Sequence, residues 1–160
     1  MHESSMKQME QFVEKHVNCV PEDQRKKLAV LDVGARDING TYRDLFAGHD
    51  YSGMDIEDGP NVDILGWADV KGEHDVVISG QVVEHCAEPK ELMENMGKHL
   101  KTGGLMCLIV PSRQQEGHRR PDYWRFTADG VRQLMAWAGV EPIVEIREQG
   151  RDVVGIGKKL

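Results

Sequence analysis

The sequence predicts an α/β fold in which about seven mostly parallel strands form a doubly wound sheet, with an antiparallel hairpin strand at its C-terminal end. Short apolar segments typical of buried strands alternate with amphipathic helical segments. This alternation favours parallel strands joined by right-handed crossovers. The last two strand segments, near 143–147 and 152–156, are joined through residues 148–150, which indicates a hairpin.

The elements follow in order from the N-terminus. Apolar residues at helical spacing between Met6 and Val17 predict a first helix that ends before Pro21. We interpret residues 1–27 as this helix with a linker, and residues 28–160 as the core of a single domain. The remaining predicted strands are 28–33, 51–54, 62–65, 76–79 and 105–110, and the remaining predicted helices are 41–47, 88–100 with a cap at 102–104, and the segment from Thr127 to Gly139.

The composition disfavours several classes of function. A net charge of -7 and a sequence pI near 5.5 give no basic surface typical of nucleic-acid binding. The first residues lack a signal-peptide pattern, and no apolar run is long enough to cross a bilayer. We therefore expect a cytoplasmic protein without a membrane partner. The three cysteines show no metal-ligand spacing. The same holds for five histidines, and no metal site is inferred; these are His2, His16, His49, His74 and His99.

The segment Val30 to Gly40, with the sequence VLDVGARDING, carries the strongest functional signal. It joins a strand to a glycine-bearing turn, and a second strand then ends at Asp55. An acid there can bind both ribose hydroxyls, while the turn lets backbone amides approach a cofactor. The turn has neither the glycine spacing of a dinucleotide fingerprint nor the lysine of a phosphate-binding loop. These features favour a nucleoside cofactor with an amino-acid tail, whose ammonium group Asp32 can face directly or through water.

Several motifs accompany this turn in a fixed order. They are Leu31-Asp-Val-Gly34, Tyr51-Ser-Gly-Met-Asp55, the segment from His74 to His85, Leu100-Lys-Thr-Gly-Gly-Leu105, Val110-Pro-Ser112 and the segment from Pro121 to Thr127. Together they resemble the class I S-adenosylmethionine-dependent methyltransferases, which have a Rossmann-like fold, and especially the small type-11 subgroup associated with sugar and natural-product modification. The resemblance covers about residues 28–140. It departs from the D-x-G-x-G-x-G pattern, because Arg36 stands near a position where glycine is frequent.

The resemblance implies S-adenosylmethionine as the cofactor and assigns its contacts. Asp32 and Gly34 would line its methionine end, Asp55 would bind the ribose hydroxyls, and Ile56 would pack on the adenine. The other implied cofactor residues are Ala35, Arg36, Gly40, Trp67, Asp69, Ser79, Gly80 and Gln81. Arg36 is a candidate partner of the methionine carboxylate. Trp67 serves either the adenine or the anchoring of its own loop.

Methyl transfer to a hydroxyl needs alignment of the reactants and removal of a proton. His85 and His118 are the candidate bases, because histidine titrates near neutral pH. The alternatives are a capping and packing role for His85 and a solvated loop tip for His118. Tyr123, Trp124 and Arg125 either line the acceptor pocket or fix their loop to the body of the protein.

The predicted function is methyl transfer to a small molecule, such as the hydroxyl or amine of a sugar or natural product. Four arginines near the predicted acceptor loop indicate either an anionic acceptor or ordinary surface charge; they are Arg113, Arg119, Arg120 and Arg125. The alternatives are a methyltransferase for protein or nucleic acid, a non-catalytic cofactor-binding partner or regulatory module, and a nicotinamide oxidoreductase. The oligomeric state is left open.

Overall fold

A computed structural model describes residues 3–114 and 118–160. Three α-helices lie in this part of the chain: α1 (Glu3–Phe12), α2 (Pro89–Lys98) and α3 (Ala128–Trp137). The strands are β1 (Ala29–Val33), β2 (Asp50–Asp55), β3 (Ile64–Leu65), β4 (His74–Gly80), β5 (Leu100–Pro111), β6 (Val140–Pro142), β7 (Arg147–Gln149) and β8 (Asp152–Lys159).

These strands form one mixed sheet in the order β3-β2-β1-β4-β5-β8-β6, and β7 lies beside β8 on the same edge as β6. Strands β1 to β5 are parallel, whereas β8 is antiparallel to its three neighbours. The predicted fold class is confirmed. The strand order reverses between β1 and β4, and ligands of such sheets bind at the carboxyl ends of the strands beside this point.

Both faces of the sheet are buried. Val77 on β4 packs on the side of α2 and α3, while its neighbours Val76 and Ile78 face α1. This alternation follows from the two-residue period of a strand. The α1 helix continues as a π-helical turn (Val13–Val17) and contributes Met9 and Phe12 to its side of the core. No helix in the described residues has the length and apolar character needed to cross a membrane.

Two predicted helices differ from the structure. The segment 41–47 forms a single 3₁₀ turn, Arg43–Phe46, because it is too short to sustain an α-helix. Helix α2 ends at Lys98 rather than 100, and the predicted cap at 102–104 lies inside β5. Lys159 donates hydrogen bonds to the carbonyls of Gly97 and Leu100 at 2.8 and 2.6 Å, so a distant cation caps this helix.

The predicted antiparallel hairpin at the C-terminal end is confirmed, but its strands have other bounds than predicted. The predicted strand 143–147 is replaced by β6 and β7, which pair with β8 on either side of it in sequence. Ile143 and Val144 are exposed, whereas Ile146 is buried. The turn of the hairpin contains Gly150 at a φ of 68°. The apolar residues near 143–146 therefore belong mainly to the connection between β6 and β7. Both of these strands pair with the edge of β8 that β5 leaves open.

Candidate functional site

The turn after β1 is built around Gly34. The amides of Gly34 and Ala35 both donate to the carbonyl of Met54 on β2, at 2.8 and 3.0 Å. Gly34 has a φ of 81°, and a Cβ atom at this position would lie 2.2 Å from Cγ2 of Val82. Only glycine combines this conformation with so close a neighbour. Gly34 thus lets the turns after β1 and β4 approach each other. They meet at the carboxyl ends of the parallel strands, and we call this edge of the sheet the crest.

The carboxylate of Asp55 is held at the end of β2 by backbone amides. The Arg36 amide donates to one of its oxygens at 3.2 Å, and the Glu57 amide donates to the other at 3.0 Å. Ile56 follows with 77% of its surface exposed, although it is a large apolar residue. A fixed carboxylate beside an exposed apolar side chain matches the chemistry of a ribose and an adenine ring.

Asp32 lies deeper in the same crest, where only 3% of its surface is exposed. The hydroxyl of Tyr51 donates to its Oδ2 atom. Burial raises the pKa of Asp32 to about 7, against the smaller lowering effect of the Tyr51 hydrogen bond. Burial also raises the pKa of Tyr51, which therefore stays a donor at neutral pH. Asp32 is accordingly a carboxyl group that can change charge near neutral pH.

The side chains that support Asp32 and Tyr51 were not among the predicted site residues. The Asn61 amide donates to the Tyr51 oxygen at 3.2 Å and to the Ala35 carbonyl at 2.7 Å. Arg43 donates to Asn61 at 2.5 Å, and its guanidinium lies 4.5 Å from the centre of the Tyr51 ring. These polar residues come from loops that no local motif marks. Their contacts fix the turn that carries Ala35.

The other predicted cofactor residues near β2 and β3 have different surroundings. The Arg36 guanidinium pairs with Glu57 at 2.6 Å. The Trp67 ring stacks on His99 with ring centres 5.6 Å apart, an arrangement that favours its role as a loop anchor. Asp69 is exposed in the same 3₁₀ turn. Gly40 has a φ of 118°, and its amide donates to Asp37 at 2.7 Å.

The end of β4 brings three predicted cofactor residues together. Ser79 is buried and donates to the Val33 carbonyl at 2.9 Å. Gly80 leaves room for Tyr42, since a Cβ atom would lie 2.1 Å from the Tyr42 hydroxyl. Gln81 adopts a φ of 61°, which is uncommon for a residue with a side chain. Unusual backbone conformations of this kind are concentrated at functional sites.

Gln81 also reveals a buried acid that the sequence did not indicate. Its side-chain amide donates at 2.8 Å to Asp152, which is fully buried on β8. Ser4 of α1 donates to the other oxygen of Asp152 at 2.8 Å. Asp152 therefore ties α1 to the turn after β4. It stands opposite Pro111 in the pairing of β5 with β8, a relation that only the antiparallel register shows.

A second group of polar side chains lies where the turn after β4 meets the loop after β5. Glu84 is fully buried, and burial raises its pKa to about 8. Nε2 of His118 and Nε2 of His85 lie 3.7 and 3.8 Å from the same Glu84 oxygen. The two imidazole rings are stacked with centres 4.9 Å apart. We call these three side chains the Glu–His cluster.

A hydrogen bond behind the His85 ring and a close carboxylate behind the His118 ring bear on which nitrogen of each ring carries the proton. Nδ1 of His85 lies 2.6 Å from the Pro121 carbonyl, which can only accept, so this nitrogen carries the proton. Nδ1 of His118 lies 3.2 Å from Asp122. Hydrogen bonds from Arg125 hold the pKa of Asp122 at about 2, so it also accepts. Nε2 of His85 therefore carries a lone pair when that ring is neutral, and the contact with Asp122 favours the same tautomer of His118.

The loop after β5 is fixed to the body of the protein. The Trp124 indole donates to the Cys86 carbonyl at 2.8 Å, and the Tyr123 amide donates to the Glu84 carbonyl at 2.8 Å. Arg125 is occupied by Asp122 at 2.6 and 2.7 Å. These contacts favour an anchoring role for Trp124 and Arg125, whereas 55% of the Tyr123 surface is exposed.

Comparisons with known proteins identify the family of the chain and similar folds. The family model described as methyltransferase domain matches residues 6–139. A search of curated protein sequences gives no match.

Several solved structures have a similar fold. A 1,6-didemethyltoxoflavin-N1-methyltransferase from Burkholderia thailandensis, solved with its acceptor and S-adenosylhomocysteine, has a TM-score of 0.74 and 16% identity over 98% of this chain and 79% of that one. A magnesium protoporphyrin IX methyltransferase from Synechocystis PCC 6803, solved with S-adenosylmethionine, has a TM-score of 0.65 and 15% identity over 95% of this chain and 80% of that one. At these identities the likeness shows the fold alone.

Proposed function

The chain belongs to the methyltransferase-domain family, and we propose that this S-adenosylmethionine-dependent enzyme methylates a small molecule at the Glu–His cluster. One observation carries the proposal. The carboxyl ends of β1 and β2 offer groups suited to the cofactor, and the end of β4 connects them to a buried group of proton acceptors. The groups suited to the cofactor and the candidate proton acceptors thus lie at the same edge of the sheet.

The residues of the crest fit the cofactor. Asp55 is fixed by two backbone amides and has lone pairs left for ribose hydroxyls. Ile56 offers its exposed apolar surface to an adenine ring, and Asp32 offers a carboxylate to an ammonium group. Gly34 lets the backbone come close without a side chain in the way. The other cofactor residues assigned from the resemblance remain predictions.

The chain's own part in the reaction is binding, alignment and handling of a proton. Bound S-adenosylmethionine supplies a methyl group on a positively charged sulfur and leaves as a neutral thioether. Ser79, Gly80 and Gln81 would lie beside that sulfur, and their conformations are fixed by buried contacts. Such fixed geometry accelerates transfer by holding donor and acceptor together. His85 or His118 would accept the proton of a hydroxyl acceptor through Nε2.

Three of the four arginines near the predicted acceptor loop are paired with acids, which favours a small acceptor over a nucleic acid. Arg113 pairs with Glu148 at 2.8 Å, Arg119 with Glu57 at 3.1 Å, and Arg125 with Asp122 at 2.6 Å. Paired guanidinium groups do not form the basic surface that phosphate backbones require. The structural neighbours point the same way, since their names give toxoflavin and porphyrin acceptors. We propose the hydroxyl or amine of a sugar or natural product as the acceptor.

The test is turnover with pooled metabolites. The full chain is incubated with S-adenosylmethionine and mixtures of sugars, phenols and amines, and products are screened for a mass gain of one methyl group. We expect at least one methylated product and stoichiometric S-adenosylhomocysteine, both reduced by Asp55→Ala. Cofactor binding without any product would support the alternative of a non-catalytic binding module. Methylation restricted to protein or nucleic acid would overturn the small-molecule proposal.

A matched pair of variants tests the proton acceptor. If His118 takes the proton, His118→Ala lowers turnover much more than cofactor affinity, and His85→Ala has the smaller effect. Equal turnover of His118→Ala and the unmodified chain across the pH range would reject this role.

A further inference from the structure

We propose that Glu84, His85 and His118 bind a divalent transition-metal cation of the Zn²⁺ type. One ligand atom from each of these side chains lies within 4.8 Å of the other two. Two imidazoles and one carboxylate are donors that suit such cations. Three protein ligands also leave coordination positions for water or an oxygen of the acceptor.

The distances are close to those of a bound cation. The two Nε2 atoms lie 3.7 and 3.8 Å from Oε1 of Glu84. Zinc bonds of about 2.0–2.2 Å place ligand atoms roughly 3.0–3.5 Å apart in a tetrahedral site. Side-chain movements of less than about 1 Å would therefore bring the three atoms to a shared cation.

The contacts behind the two rings resemble those of histidine ligands in metal sites. Nδ1 of His85 donates to the Pro121 carbonyl, and Nδ1 of His118 faces Asp122. Histidine ligands of metals commonly donate their other nitrogen to a carbonyl or a carboxylate, which fixes the ring and its tautomer. Arg125 in turn holds Asp122 through two hydrogen bonds. The outer contacts thus hold both rings with Nε2 on the side of Glu84.

The carboxyl group at the centre of the cluster is buried and faces both imidazoles without a hydrogen bond to either of them. Glu84 is fully buried, and neither of its carboxylate oxygens accepts a hydrogen bond from another residue among those described. The nearby Arg125 is engaged by Asp122, so its charge is largely balanced there. A buried carboxylate is costly unless it is paired, protonated or bound to a metal. A cation would bind the carboxylate and both Nε2 atoms at once, whereas a proton on Glu84 serves one contact at a time.

This inference rests on the proposed function only for its consequence. A cation at the cluster would bind the acceptor hydroxyl and lower its pKa, which makes deprotonation easier. The histidine nitrogens would then be ligands, because a lone pair that binds a metal cannot accept a proton. Metal binding itself needs neither cofactor nor acceptor, so it can be measured separately.

The experiment uses the full chain after removal of metals with a chelator. Zn²⁺ is titrated without cofactor, and Co²⁺ is added to a second sample for its visible absorption. We expect one Zn²⁺ per chain and a Co²⁺ spectrum with nitrogen ligands. Glu84→Gln and His118→Gln should each weaken Zn²⁺ binding at least tenfold. His99→Gln and Cys19→Ser should bind as the unmodified chain does, since both residues lie outside the cluster.

Two results would overturn the site: no Zn²⁺ binding by the unmodified chain, or unchanged binding in both cluster variants. Circular dichroism shows whether each variant folds, and His85→Gln answers the question if Glu84→Gln does not fold. Binding of S-adenosylhomocysteine is measured on the same samples. Zn²⁺ binding without binding of that nucleoside would leave the metal site standing and reject the proposed function alone.

Discussion

The proposed cofactor side and the proposed acceptor side of the crest are held by different forces. On the cofactor side, Asp55 is fixed by amides only two residues after it and on the adjacent turn. On the acceptor side, Glu84 meets His118 from a loop more than thirty positions away in sequence, and Asp122 and Arg125 complete the contacts. The first half is local backbone geometry, and the second is a buried arrangement of charges.

This difference determines how each half responds to substitution. A tight backbone turn is destabilised when a side chain is added at its glycine, because the side chain has no space and the positive φ is unfavourable for it. A buried charge arrangement fails when one partner is removed, because the remaining charge is left without compensation. The two halves can therefore be perturbed independently, and the expected effects differ in size and in readout.

The largest effect is expected for the turn after β1. Gly34→Ala should destabilise the protein by about 3 kcal/mol, since it combines an unfavourable positive φ with an overlap against Val82. Gly72→Ala is the matched control, because Gly72 has a φ of 69° but no atom within 4 Å of the added Cβ. Its cost should be about 1 kcal/mol. Chemical denaturation measures both, and equal losses would show that the contact with Val82 does not matter.

A smaller loss is expected on the acceptor side. Arg125→Gln should cost about 2 kcal/mol, because it leaves Asp122 buried without its cation. Hydrogen exchange of the Tyr123 amide should become faster as the loop loosens. Arg113→Gln is the control, since its pair with Glu148 is exposed and should contribute little. Unchanged stability and exchange in Arg125→Gln would remove the proposed support of the loop.

Asp55→Ala tests binding rather than folding. It should weaken affinity for S-adenosylmethionine at least tenfold, which corresponds to about 1.4 kcal/mol. Asp58→Ala, which changes an exposed carboxylate on the following turn, should bind normally. Calorimetry compares the two. Equal affinity in the Asp55 variant and the unmodified chain would remove Asp55 from the ribose site.

The smallest effect is the pH dependence that Asp32 creates. Its pKa is raised from 3.8 to about 7 by burial, so the folded state holds a proton that the unfolded state has lost within this window. Stability from this group is complete below pH 3.8 and falls as the pH rises towards 7. Between pH 6 and pH 8 the loss should be about 1 kcal/mol.

Asp32→Asn should remove this part of the pH dependence, whereas Asp58→Asn should keep it. Thermal and chemical denaturation at both pH values provide the measurement. A pH profile of Asp32→Asn that follows the unmodified chain would contradict the assigned protonation of Asp32.

The sequence located the residues of the proposed cofactor side more completely than those of the Glu–His cluster, for a physical reason. Gly34 and Asp55 stand next to strong strand patterns, so their place at the crest follows from the fold class. Neither Glu84 nor Asp152 was among the predicted site residues. Both acquire their surroundings from pairings between distant segments, which no local pattern contains. Element limits were wrong where distant contacts decide them, as in the capping of α2 by Lys159.

Calorimetric titration of the full, unmodified chain with S-adenosylhomocysteine measures whether the crest binds the cofactor. We expect saturable binding of one nucleoside per chain, at the crest formed by Gly34 and Asp55. A folded chain that retains neither this compound nor S-adenosylmethionine at equilibrium would contradict it.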